Sequence, residues 1–82
     1  MDWIHIRDQK PKEGQSVIYF FEHVGVHRGK YKEVDYGEDF GTDENGNTYK
    51  GNMFYSEKGF LTDDVTHWMP DEGQELPKRP IL

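Results

Sequence analysis

The chain has 82 residues, is 33% hydrophobic and 15% aromatic, and carries 16 Asp and Glu against 10 Lys and Arg, a formal charge of −6. That is one domain (residues 1–82) with one small core, in which aromatic rings must supply most of the buried area. There is no cysteine, which excludes disulfides, thiolate metal sites and cysteine nucleophiles, and the acidic balance argues against direct nucleic-acid binding.

Taken in chain order, Trp3 to Arg7 alternates with period two, a short strand pattern closed by the polar stretch Asp8 to Pro11. Glu13-Gly14 marks a turn into the strongest strand signal, Ser16-Val17-Ile18-Tyr19-Phe20-Phe21. A continuous β-branched and aromatic run of this kind predicts a central strand covered on both faces. A hairpin around residues 22–26 leads to a second alternating strand, Val26 to Val34.

From Asp35 to Asn52 the pattern collapses into an acidic, glycine-punctuated stretch, either a long hairpin excursion or an irregular loop (35–52). Within it Asn45-Gly46 suits a type I′ turn, which needs positive φ at both central residues. Met53 to Tyr55 and Phe60-Leu61 predict short strands, and Val65 to Met69 a closing one. Pro70, Pro77 and Pro80 make residues 71–82 an extended tail.

The expected fold is mainly β, a single curled antiparallel sheet of four or five strands with little or no helix. Ile18, Phe20, Trp3 and Trp68 are its structural residues, with the two tryptophans packing near each other to tie the ends together. No apolar run approaches the ~20 residues needed to span a bilayer. The opening Met1-Asp2-Trp3-Ile4-His5 lacks the basic and apolar parts of a signal peptide. No membrane association and a cytoplasmic location are therefore expected.

The opening Trp3-Ile4-His5-Ile6-Arg7-Asp8-Gln9-Lys10-Pro11 is followed by Glu13-Gly14-Gln15-Ser16-Val17-Ile18-Tyr19, and the close is Val65-Thr66-His67-Trp68-Met69-Pro70 with Leu76-Pro77-Lys78-Arg79-Pro80 after it. These ends, about half of the chain, resemble a short domain-of-unknown-function family common in phages and prophages. Its members open with Trp-Ile and close with Thr-His-Trp and a Leu-Pro-x-x-Pro tail. Lys10 stands where the family has Leu, and Asp71 to Glu75 is an insertion before the final Leu-Pro. The resemblance implies a phage or bacterial source and a compact fold, with no activity attached.

No constellation of residues predicts catalysis, a metal site or a cofactor. His67 has no nucleophile or carboxylate partner in view, as a triad would need, and reads as a structural histidine bonding to backbone in the last strand. His23 and His27 stand four apart, but Gly25 lies between them in the hairpin and no Glu follows His23. His5 is the one histidine expected to approach them across the sheet. Counting from Gly46 as position six of a calcium loop puts Gly41 and Asn52 at its two charged anchors, which rules that loop out.

The candidate site is the acidic segment. Glu33, Asp35, Glu38, Asp39, Asp43 and Glu44 are interleaved with Tyr31, Tyr36, Phe40 and Tyr49, and aromatic anchors within a charged rim are a composition of protein-binding surfaces. Tyr36, Glu38, Asp39, Phe40, Asp43, Glu44 and Tyr49 are the expected partner-binding residues, and the expected partner is a bacterial host protein with a basic surface. The rival readings are a DNA mimic that inhibits a nucleic-acid-binding protein, and a self-associating structural protein or homodimer formed through exposed strand edges. A small hydrolase using His67 or His5 has little room for a pocket in a domain of this size.

Overall fold

Residues 2–23, 25–59 and 61–81 are described by a computed structural model of the chain. Six strands follow in sequence: β1 (Ile4–His5), β2 (Ser16–Phe21), β3 (Gly25–Asp35), β4 (Lys50–Ser56), β5 (Leu61–Thr62) and β6 (His67–Pro70). They form one antiparallel sheet in the order β1-β6-β2-β3-β4-β5, so the predicted mainly-β single sheet holds, with six strands instead of four or five. No α-helix occurs among the described residues, and the sole helical element is a 3-10 turn over Glu38–Phe40.

β2 is central, as its apolar run requires, with Val17, Ile18, Tyr19 and Phe20 each at most 1% exposed. Its alternation divides the core in two. One face carries Val17 and Tyr19, which cluster with Tyr31, Phe54, Val65 and Trp68, while Ile4, Ile6 and Phe21 pack against that cluster. Residues 6–15 close over this side, where the Trp68 indole donates to the Gln9 carbonyl at 2.8 Å and Pro11 is buried. Gly14 takes φ +77°, which lets the Gly14 N–H reach the Tyr31 carbonyl while the Tyr31 N–H reaches Gln15. A positive-φ glycine at such an irregular strand start is what a bulge requires.

The opposite face of β2 carries Ile18 and Phe20, and here the C-terminal tail docks despite its inserted segment. Arg28 makes an ion pair with Asp71 at 2.7 Å and also donates to the Gln74 carbonyl. The Trp3 indole donates to the Lys78 carbonyl at 3.1 Å, and the Arg79 guanidinium lies 5.4 Å from the Phe20 ring centre. Trp3 meets Phe20 edge-on at 6.4 Å. The two tryptophans therefore do not pack together as expected. Ile4 pairs directly with Trp68, and neighbouring strand residues point to opposite faces, so Trp3 belongs to the tail side and Trp68 to the other. The ends are tied by Trp3 to the tail instead.

β1 is shorter than the Trp3–Arg7 strand expected, because the chain turns at residues 6–8, where Asp8 and Gln9 both donate to the His5 carbonyl. The closing strand starts at His67, although the Thr66 N–H still bonds the Phe20 carbonyl. β5 begins at Leu61; Phe60, assigned to the same strand from sequence, lies outside the described residues.

Candidate functional site: the arm of β3 and β4

β3 has 11 residues, and β2 pairs with it only through Gly25–Lys30. From Tyr31 to Asp35 it runs on with β4, in pairs that end at Asp35 and Lys50. These two strands make an arm that projects past β2. The stretch read as an irregular loop over 35–52 is thus the hairpin excursion of the two alternatives, with its first residue and its last three in strand. Beyond the strands the Tyr36 N–H bonds the Tyr49 carbonyl, and Thr42 bridges Thr48.

Carboxylates build the tip from within. Asp35 accepts from the Gly37 N–H at 2.9 Å and from the Thr48 hydroxyl at 3.0 Å. The Gly37 bond first, then Thr48 and nearby Lys50, hold its carboxyl below the ordinary aspartate value. Asp43 accepts from the Asn45 and Asn47 amides at 2.9 and 3.0 Å, and its own carbonyl accepts from the Gly46 N–H. Only Gly46 has positive φ (+80°), since no non-glycine residue among those described does. The expected type I′ turn at Asn45-Gly46 is therefore replaced by a turn centred one residue earlier, with Gly46 as its left-handed exit. The Asp43 side chain decides this, because an Asx bond to the amides ahead favours that geometry.

Tyr36, Phe40 and Tyr49 meet at this tip. Tyr36 and Phe40 stack at 4.9 Å, and Tyr49 meets Phe40 edge-on at 6.3 Å. Phe40 is nevertheless 67% exposed and Tyr49 46%. Ring stacking of this kind normally accompanies burial; here it orders rings that face solvent. Gly51 makes room for it, since a Cβ there would collide with the Tyr36 ring.

Of the predicted partner-binding residues, the structure brings all seven to this tip but gives them two kinds of role. Glu38, Asp39 and Glu44 are exposed, and none has an ion-pair partner among the described residues. Asp43 is a turn-former. Two neighbours from the interleaved set belong elsewhere. Tyr31 is 2% exposed and donates to Asn52 at 2.6 Å within the core cluster; burial first, then Glu33 and Glu13, raise its hydroxyl pKa. Glu33 lies between Lys10 at 3.8 Å and Lys50 at 4.0 Å, in two exposed and weak ion pairs.

The histidines form a different pairing from the one expected. His5 does not approach His23 or His27, because β1 stands three strands from β3. It faces His67 across β1 and β6, ring centres 4.8 Å apart. His67 bonds the Thr66 hydroxyl at 2.8 Å through Nδ1, where a backbone partner was expected. Burial first, then His5, lower its pKa below the ordinary histidine value. The folded state therefore holds the His67 proton less tightly than the unfolded chain does. Stability present above the unfolded value of about 6.5 is lost as pH falls toward the lower folded one. Urea midpoints at pH 7.5 and 5.5 should differ less for His67→Gln than for the parent protein. An unchanged difference would mean that His67 does not carry this dependence.

Sequence reasoning missed one surface. Strand alternation places Lys30, Lys32 and Val34 of β3 beside Tyr55, Met53 and Gly51 of β4 on the tail side of the sheet. The tail's bonds reach Trp3, Ser16, Arg28, Met69 and Pro70, and Lys30, Lys32, Val34, Gly51, Met53 and Tyr55 are all exposed or half-buried. The alternation Gly51-Met53-Tyr55 was the available signal.

The described residues thus make a small open-sheet domain with an aromatic, acidic arm, no helix long and apolar enough to cross a membrane, and no group of three or more metal-ligating side chains. A family model for a protein of unknown function (DUF551) matches residues 2–80, and the chain belongs to that family. No curated protein and no solved structure matches it.

Proposed function

We propose that this is a phage-encoded protein-binding module, not an enzyme, whose arm tip docks on a basic surface of a bacterial host protein in the cytoplasm and modulates it. The observation that carries the reading is the stacked aromatic cluster of Tyr36, Phe40 and Tyr49, solvent-facing, with the exposed carboxylates Glu38, Asp39 and Glu44 in the same hairpin tip. Preorganised aromatics lose little side-chain entropy on binding, and an acidic tip steers encounter with a basic partner. DNA mimicry would need carboxylates spread along a face, whereas these are gathered at one tip with Lys30 and Lys32 further down the arm.

Tagged protein should capture one stoichiometric partner from bacterial lysate, and the complex should dissociate in high salt. Phe40→Ala should weaken it by about 2 kcal/mol, roughly 30-fold, as loss of an aromatic hot spot does. Reversing Glu38, Asp39 and Glu44 to Lys should slow association most. Asp43 is left intact because it holds the turn. Capture unchanged in both folded variants would overturn the proposal.

A further inference from the structure

We infer that the uncovered face of the arm is a docking surface for a second copy of this chain, laid antiparallel so that each acidic tip meets the other's lysines. Along this face the root bears Lys30 and Lys32, both exposed and without an ion-pair partner among the described residues. The middle is Val34, Gly51 and Met53, half-buried and apolar or small. Tyr36 then lies over Gly51 on the same face, with Phe40 stacked on it. The exposed carboxylates follow at the far end of the arm, Glu38 and Asp39 in the 3-10 turn that carries Phe40 and Glu44 in the turn beyond it. Basic root, apolar middle and acidic tip form a polar sequence that a twofold axis through the middle maps onto its own complement. That self-complementarity is what an isologous dimer interface requires.

The scale also fits. Lys30 to Tyr36 is seven residues, about 20 Å of strand, and two such faces pack about 10 Å apart. The root is not purely basic, since Glu57 lines the same depression as Lys30, and Asp71 there is held by Arg28. Self-association through this face occludes the tip that the proposed host protein would use, but it does not depend on such a partner existing.

Sedimentation velocity of the full chain, at low salt and across a concentration series, tests it. The expected result is a dimer that weakens as salt rises. Lys30→Glu with Lys32→Glu, and separately Glu38→Lys with Asp39→Lys, should each weaken it at least about tenfold, as misplaced like charges do. An equimolar mixture of the two variants should restore a dimer. Backbone circular dichroism identical to the parent shows that each variant is folded. A protein monomeric throughout, or a dimer indifferent to both reversals, would overturn the inference. The lysine variant, monomeric with its tip untouched, should still capture a host partner; failure there speaks against the proposed function alone.

Discussion

Trp68→Ala should leave the domain largely unfolded at room temperature. Trp68 is 2% exposed, lies across from Ile4 on one side and Tyr19 on the other, and donates to the Gln9 carbonyl. Removing a buried aromatic of this size costs about 3–5 kcal/mol, and a core this small supplies roughly the same amount in total. Trp68→Phe keeps most of the area and gives up the indole bond, so it should cost about 1 kcal/mol beyond the lost volume. Urea unfolding followed by circular dichroism distinguishes the outcomes. A cooperative transition in the alanine variant at an unchanged midpoint would mean that β6 is not integral to the core.

Gly29→Ala is expected to be the next most damaging change, for a reason that has nothing to do with cavities. A Cβ there would overlap the Tyr55 carbonyl oxygen, and would come within 2.8 Å of its carbonyl carbon and 2.9 Å of a Tyr19 ring carbon. Two of those three atoms are backbone, so no rotamer change relieves them. β3 and β4 would have to part at the Gly29–Ser56 and Lys30–Tyr55 pairs. Overpacking of this kind costs about 1–3 kcal/mol, or more where neighbours cannot move. Gly14→Ala offers the comparison: its Cβ meets nothing within 4 Å, but its φ is +77°, so only the left-handed penalty of about 1–2 kcal/mol applies. Gly29→Ala should lower the urea midpoint more than Gly14→Ala does; equal midpoints would mean that β3 and β4 can part at Gly29 without cost.

Much of this architecture was legible in the chain. The run from Ser16 to Phe21 declared a strand buried on both faces, and the alternation after Gly25 declared its hairpin partner, because burial imposes its pattern directly on residue type. What failed depended on distant partners. The sequence suggests that Trp3 and Trp68 pack together and tie the ends, but strand parity puts them on opposite faces, and parity is unreadable until the register of β1 against β6 is known. The turn near Asn45 was misplaced by a single side chain, Asp43, capturing two amides. At the candidate site, composition identified the aromatic and acidic residues of the tip. It could not separate buried Tyr31 from exposed Phe40, since that difference arises from where β2 stops pairing with β3.

The strand order has a consequence for how the protein is made. β2, the most apolar strand, is flanked by β3, which follows it at once, and by β6, which is the last strand of the chain. During synthesis the hairpin of β2 and β3 can form early, because its contacts are local. One edge of β2 then stays open until residues 67–70 have left the ribosome. For that interval Val17 to Phe20 present unpaired backbone beside apolar side chains, the kind of edge that recruits foreign strands. A chain ending before His67 should therefore accumulate as aggregate and not as a smaller folded domain.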